Sequence, residues 1–374
     1  MKKIVIISPA HPLRGGIAAS TERLATTFRN EGHRVTIISF SLQYPEFLFP
    51  GKTQYTDDPP PENLKILPLI NAVNPFNWFW VANFIMKLKP DVVVSRYWLP
   101  FMAPCIGTIQ FLMRMFTKSR VVGIVDNAIP HEKRFGDKFF SSYYFASCNA
   151  FVTLSELVAK DLAEVVRTKK IIATEHPLYD NYGEKVAKEE ARKVLGIQEK
   201  EINLILFFGF IREYKGLDLL VEAVAKLKDS KYRVLIAGEY YGNEAYFQKL
   251  YRTLEMEPQL YLHTDYIPND KIKYYFSAAD VVVQPYKSAT QSGISQIAYH
   301  FDIPMIVSNV GALPDMVIHN NTGLIVNPET DELAVAIKRY FDENLAPQFS
   351  INCNTFKKKF SWEKLSEAVF EAAE

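Results

Sequence analysis

The stretch Phe207–Leu220, FFGFIREYKGLDLL, joins two kinds of local pattern. Upstream, Asn203–Phe208 is an apolar run of strand length. Downstream, Leu217, Leu220, Val221, Val224 and Leu227 recur at helical spacing. Between them Gly209 and Gly216 bracket two cations, Arg212 and Lys215. A buried strand that runs through a glycine-bearing turn into an amphipathic helix is the repeating unit of a parallel sheet, because parallel neighbours need a crossover. The turn falls at the carboxyl end of its strand, where such sheets bind ligands. Arg offers a two-pronged donor and Lys a point charge, so the pair can hold a diphosphate without a metal ion. Solvated loop charges are the plain alternative.

The same unit recurs in both directions. In Val281–Ser295, VVVQPYKSATQSGIS, an apolar run breaks at Gln284-Pro285. It passes Lys287 and enters a hydroxyl- and amide-rich turn before Ile294, Ile297, Ala298 and Phe301 at helical spacing. Backbone N–H groups at such a helix start have no internal partner, which suits an anion. No acidic residue stands between Asp280 and Asp302. Further strands are expected at Arg233–Gly238, Leu260–Tyr266, Met305–Val307 and Leu324–Val326. Toward the N-terminus they fall at Lys3–Ile7, Val35–Phe40, Asp91–Ser95, Val121–Val125 and Ala150–Thr153, with a helix through Ile17, Leu24 and Phe28 that stops at Gly32. Near-continuous apolar strands in β-α-β order mean parallel sheets covered on both faces.

The pattern loosens around Ile171–Lys200, where the charged YDNYGEKVAKEEARKVLGIQEK reads as a linker. The expected fold is α/β, two Rossmann-like domains facing each other across a cleft: residues 1–180, and residues 181–360. At 374 residues the chain is long for one compact domain and suits two.

Composition narrows the functions. Apolar residues make up 48% and charged ones 23%, as in ordinary soluble proteins, and the formal net charge of +1 gives no reason to expect nucleic acid. Cys105, Cys148 and Cys353 are far apart and form no C-x-x-C, so a reducing cytoplasm is the simplest setting. The start, MKKIVIISPAHP, has too short an apolar core for a signal peptide and reads as the first strand. Trp98–Phe116 approaches membrane-span hydropathy but is broken by Pro100, Pro104 and Gly107. It reads as a buried helix, or as one resting on a membrane surface. The aromatic Asn74–Phe84, NPFNWFWVANF, is either core or a platform for a sugar or lipid.

Several chemistries are excluded by their missing motifs. The first turn, SPAHPLRGGIAAS, is not G-x-G-x-x-G, and no carboxylate ends the second strand at Ser39-Phe40-Ser41, so a nicotinamide cofactor is not expected. There is no Walker A sequence and no G-x-S-x-G nucleophile turn. His131-Glu132 lacks the second histidine of a zinc-protease helix, and no Asp-x-Asp pair offers a metal site.

What remains is phosphate chemistry without a P-loop, and here the chain resembles a family. FFGFIREYKGLDLL looks like the phosphate-binding turn of retaining GT-B glycosyltransferases, in particular family 4 (glycosyl transferases group 1). RGGIAASTERLATTFRNEGHRVTII is similar to the family's opening diglycine loop and helix. VDNAIPHEKR resembles the loop that carries a histidine, and PYKSATQSGISQIAYHFDIPMIVSNVGALPDMV the donor-site strand, turn and helix. NNTGLIV resembles the final strand, and FSWEKLSEAVFEAAE the helix, about 361–374, that packs back on the first domain.

The resemblance implies a nucleotide-diphosphate sugar as donor substrate, no resident cofactor, no metal, and transfer with retention to a glycan or lipid-linked acceptor in surface polysaccharide or glycolipid synthesis. Arg212, Lys215 and His131 would then be catalytic. Gly16, Gly209, Gly216, Glu239, Thr290, Gln291, Ser292, Gly293, Ile294 and Gln296 would bind the donor; Gly15, His11, Asn127 and Glu132, with Asp126, would lie on the acceptor side. For Glu239 a solvated loop carboxylate is equally open. Two departures stand out. Phe210 follows Gly209 where the family has arginine, and the family's spaced pair of donor-site glutamates is absent. Alignment on Pro304 puts neutral Thr290, Gln291, Ser292 and Gln296 there instead. A degenerate GT-B subunit that binds a sugar nucleotide or a partner enzyme is therefore the second reading, and a GT-B sugar-nucleotide epimerase a third. A cytoplasmic enzyme, with a peripheral place at the inner membrane face as an option, completes the expectation.

Overall fold

The computed structural model describes residues 1–45, 53–56, 59–128, 136–289 and 292–374. The chain divides into two compact units, Met1–Pro177 with Phe360–Glu374, and Leu178–Lys359.

The first unit runs β1 (Lys3–Ile7), α1 (Gly16–Asn30), β2 (Arg34–Leu42), β3 (Ile66–Asn71), α2 (Pro75–Leu88), β4 (Val92–Tyr97), α3 (Ala103–Phe116), β5 (Arg120–Val125), α4 (Asp137–Ser147), β6 (Ala150–Thr153), α5 (Glu156–Val165) and β7 (Ile171–Ala173). Among the described residues the strands form a sheet in the order β3-β2-β1-β4-β5-β6-β7. Every pairing is parallel. Every residue of β4 and β6 is buried, the pattern of a strand covered on both faces.

The second unit contains α6 (Lys188–Val194), β8 (Asn203–Phe208), α7 (Leu217–Leu227), β9 (Tyr232–Ala237), α8 (Glu244–Thr253), β10 (Leu260–His263), α9 (Ile272–Ala278), β11 (Val281–Gln284), α10 (Gly293–His300), β12 (Met305–Ser308), β13 (Gly323–Val326), α11 (Thr330–Asp342) and α12 (Ala346–Phe356). Its sheet order is β10-β9-β8-β11-β12-β13, again parallel throughout. Both units are doubly wound Rossmann-like α/β folds, and in the second the chain order reverses on either side of β8. The helix α7 forms because Leu217, Leu220, Val221, Ala223 and Val224 give it one buried face.

The last helix, α13 (Trp362–Ala373), belongs to the first unit. The Ser361 hydroxyl accepts from Lys364 N and caps its start. Phe370 packs on Phe28 (5.5 Å between ring centres) and His33 (4.8 Å), and Ser366 Oγ donates to Glu31 Oε2 at 2.6 Å.

One expectation needs correction, and the elements β3, β7 and α2 were not foreseen. The charged stretch read as a linker is built into the second unit. Lys188 Nζ and Arg192 Nη2 hold the Asp280 carboxylate at 2.7 and 2.9 Å, and Asp280 Oδ2 accepts Leu204 N. The edge strands β3 and β7 were not expected: β3 contains Pro68 and β7 is only three residues long, so neither shows a clear strand pattern. Asn74–Phe84 is mostly a helix, capped by the Asn74 side chain.

Candidate functional site

In the second unit the turn after β8 is shaped by its glycines. Gly216 has φ +66°, and a β-carbon there would lie 2.0 Å from the Pro285 carbonyl oxygen. Only glycine combines that backbone with that approach. The contact brings the β8–α7 turn against the β11–α10 turn. Lys287 N donates to Tyr214 O at 2.7 Å, and Lys287 Nζ pairs with Asp218 Oδ2 at 2.6 Å. The turn after β9 joins the group, since Ile211 N donates to Glu239 O and Tyr241 N to Ile211 O. Three loops at the carboxyl ends of adjacent strands are thus stitched together.

Both cations lie in this cluster. Arg212 stands over the Tyr241 ring, its guanidinium carbon 4.5 Å from the ring centre. Lys215 Nζ stands 5.7 Å from the Tyr286 ring centre, and a β-carbon on Gly209 would be 3.0 Å from it. Lys215 is partly buried, not a solvated loop charge. Burial, and then the neighbouring Arg212 charge, push its ammonium down to about 8. A half-desolvated ammonium beside a guanidinium favours an anion that neutralises both.

The helix α10 begins beside them at Gly293, with Ile294 within van der Waals reach of a Gly209 β-carbon. The Ser292 side chain makes no capping hydrogen bond to the first turn of the helix. Ser292, its N-cap, is buried, with its hydroxyl 3.4 Å from Tyr286 Oη. A β-carbon at Gly293 would overlap the Tyr179 ring at 2.6 Å.

Two donor-side expectations change. Glu239 is 4% exposed, so the solvated-carboxylate reading is set aside. Gln296 is fully buried on the inner face of α10, and its Nε2 donates to Met316 Sδ at 3.2 Å. Its side chain therefore does not face solvent to read a hydroxyl. Its Oε1 has no hydrogen-bond partner. Thr290 and Gln291 lie outside the described residues, as do His131 and Glu132.

In the first unit the loop after β1 holds His11, Gly15 and Gly16. His11 N donates to Glu22 Oε1 at 2.7 Å, and Ser39 Oγ bridges Ala10 N and O. The serine that stands where a dinucleotide-binding carboxylate was sought thus pins this loop. Gly15 has φ +112° and starts α1 with no side-chain cap, and Gly16 is exposed. Asn127 is partly buried after β5.

Asp126, expected to orient the histidine or meet the acceptor, is instead committed to Arg96. Its two oxygens accept from Arg96 Nε and Nη2 at 2.7 and 2.8 Å. Arg96 Nη1 donates to Ser20 Oγ. Beside the pair lies His176, 3% exposed, with Nδ1 at 2.9 Å from Pro177 O. Burial chiefly pushes its imidazole down to about 4, and Arg96 adds to that. Nothing in the sequence separates Arg96 and His176 from ordinary strand and loop residues, so this buried cluster at the carboxyl ends of β4, β5 and β7 was missed. Tyr241, Tyr286 and Asp218 were missed for the same reason.

Comparison with known proteins agrees with this architecture. Residues 14–177 match the family described as Glycosyltransferase Family 4, and residues 187–358 match Glycosyl transferases group 1. An uncharacterised glycosyltransferase of Methanocaldococcus jannaschii is 22% identical over 98% of this chain and 96% of its own length. A D-inositol 3-phosphate glycosyltransferase of Pseudarthrobacter chlorophenolicus is 31% identical over 37% of this chain and 34% of its own. Among solved structures, the sucrose-phosphate synthase of Thermosynechococcus elongatus superimposes with a TM-score of 0.79 at 18% identity, covering 100% of both chains. Anabaena HepE in complex with UDP-glucose gives 0.76 at 14% identity, covering 99% of each. With two glycosyltransferase family matches spanning its two doubly wound units, the chain belongs to the GT-B glycosyltransferases of family 4.

Proposed function

We propose that the protein moves a sugar, with retention of anomeric configuration, from a nucleotide-diphosphate sugar to a glycan or lipid-linked acceptor in surface polysaccharide or glycolipid synthesis. The observation that carries this is the pairing of Arg212 and a partly buried Lys215 at the carboxyl end of β8, next to the start of α10. In the proposed reaction the diphosphate sits against these groups. As the bond from the anomeric carbon to phosphate oxygen breaks, negative charge grows on the leaving phosphate. Arg212 and Lys215 stabilise it, usually the largest catalytic term in such a site. The acceptor oxygen bonds the anomeric carbon on the face that the phosphate leaves, and the acceptor proton passes to a phosphate oxygen. Such a step needs no catalytic carboxylate, which fits a β11–α10 segment without acidic residues. Two cations supply the counter-charge that a metal ion gives elsewhere, so the reaction runs without a metal or a resident cofactor. The UDP-glucose complex of HepE supports a sugar nucleotide as donor class. The three cysteines are unpaired and buried, in keeping with a reducing compartment.

The test is transfer or slow hydrolysis of a sugar nucleotide in the presence of EDTA, with the product's anomeric configuration read by proton NMR. Retention supports the proposal; inversion, or dependence on a divalent metal, overturns it. Lys215→Ala should lower turnover on the order of 100-fold. The absence of carboxylates between Asp280 and Asp302 favours one other reading, a subunit that binds sugar nucleotide without turnover. Binding with no transfer to any glycan or lipid acceptor would select it.

A further inference from the structure

The helix α2 is apolar on both sides. Its inner face, Val81, Ala82 and Ile85, is fully buried in the core of the first unit, against α3. Its outer face carries Phe76, Phe79 and Trp80, which are 87%, 56% and 53% exposed. These residues, followed by Asn83 and Lys87, fall at helical spacing and form one stripe along the helix. Trp80 also stacks on Phe84, with ring centres 5.9 Å apart. Three large aromatic rings in a row on a surface helix are more than the scattered apolar residues any surface shows.

The charges around the stripe are one-sided. From residue 63 to residue 125 the chain has a single carboxylate side chain, Asp91, and its Oδ2 accepts Lys3 N at 2.7 Å. Lys87 and Lys89 are exposed at the C-terminal end of α2. The neighbouring helix α3 ends in exposed Met115 and Phe116, 70% and 65% accessible, followed by exposed Lys118. α3 packs in turn on α4, whose exposed Lys138 precedes Phe139, 72% accessible. Along α2 and at the end of α3, aromatic rings flanked by lysines without intervening carboxylates match a layer that offers hydrocarbon under negatively charged headgroups. No described helix is long and apolar enough to cross a membrane.

We infer that the α2 stripe, with the lysines at its end, docks the first unit on the surface of an anionic lipid bilayer. Phe76, Phe79 and Trp80 enter the boundary between headgroups and acyl chains, and Lys87 and Lys89 pair with lipid phosphates. The inference does not depend on the proposed reaction, because its test contains neither sugar nucleotide nor acceptor.

The test is flotation of the full chain with vesicles of phosphatidylcholine alone, and of two parts phosphatidylcholine to one part phosphatidylglycerol. The wild-type chain should float with the anionic vesicles and release as salt is raised. Phe76→Ser/Phe79→Ser/Trp80→Ser should lose at least about tenfold in affinity, and Lys87→Glu/Lys89→Glu on the order of tenfold. All three rings are exposed, so the serine variant should keep the wild-type melting temperature. Trp80→Phe should still bind but lose most of the blue shift in tryptophan emission on vesicle addition. Failure of the wild-type chain to float, or equal flotation of the serine variant, overturns the inference. So does a dimer, seen by light scattering without lipid, that the serine variant dissolves, because a second copy would then cover the stripe.

Discussion

Lys215 gives the sharpest prediction because one group links folding, ligand binding and pH. In the unfolded chain its ammonium titrates near 10.5, and in the fold near 8. Below about pH 8 both states are protonated, and the fold carries the whole cost of holding a charged amine partly out of water. Between about 8 and 10.5 the folded chain gives up this proton while the unfolded chain keeps it. Stability contributed by this group therefore rises with pH across that window. The shift amounts to about 2 kcal/mol once partial solvent exposure is allowed for. Lys215→Met should remove the cost and raise the stability of the ligand-free protein at neutral pH by about that amount. The same substitution should weaken nucleotide-diphosphate binding by on the order of 100-fold, since it removes a charge-assisted contact from the anion. In the wild-type protein the dissociation constant should be flat below pH 8 and rise by up to tenfold per unit above it. Lys215→Arg, which stays charged, should bind with no such rise. The assay is isothermal titration with UDP, GDP, ADP and dTDP at a series of pH values above the last phosphate ionisation, alongside urea unfolding of the ligand-free variants. A flat wild-type profile up to pH 10, or Lys215→Met that binds as the wild type does, would refute the placement of Lys215 on the phosphate.

Gly216→Ala meets both a positive φ and the Pro285 carbonyl, whereas Gly242→Ala meets a positive φ of 87° with open space around it. Urea unfolding should show a loss of about 1 kcal/mol for Gly242→Ala and about 3 kcal/mol for Gly216→Ala; equal losses would mean that the two turns are not in contact. Arg96→Met takes the guanidinium away from the Asp126 carboxylate, which is 6% exposed. It should cost about 3–5 kcal/mol, and the double change Arg96→Met/Asp126→Leu should recover most of this in a double-mutant cycle. His176 is held neutral in the fold down to about pH 4 against 6.5 in the unfolded chain, so acidification through that window protonates the unfolded state first. Wild-type protein should lose about 2–3 kcal/mol more than His176→Gln over that range, as read by denaturant unfolding at each pH.

Much of this architecture could be read from residue order. Central strands such as β8 and β6 are covered on both faces, and an apolar run bounded by polar turns marks them whatever their neighbours are. Two edge strands, β10 and β13, were legible as apolar runs, while the edge strands β3 and β7 escaped. β3, Ile66–Asn71, contains Pro68. Of the candidate site, Arg212, Lys215 and the glycines showed themselves by standing in a turn between a strand and a helix. Their surroundings did not. Tyr241 and Tyr286 come to the cations from other strands, and no local spacing foretells that. Gln296 was placed by alignment on Pro304, which cannot tell that the fourth position of α10 turns into the core. The Arg96–Asp126–His176 cluster unites residues from three strand ends, and only the sheet order brings them together.

The most direct test of the account is a metal-free thermal-shift screen against UDP-, GDP-, ADP- and dTDP-sugars, run on wild-type protein and on Lys215→Ala. A ligand that binds only the folded chain stabilises it by roughly 2.7 kcal/mol at 100 times its dissociation constant. The account predicts that at least one sugar nucleotide raises the melting temperature of the wild-type protein in EDTA, and that Lys215→Ala loses most of that rise. No shift with any of them, or an equal shift in the variant, would contradict a diphosphate held by the β8–α7 turn.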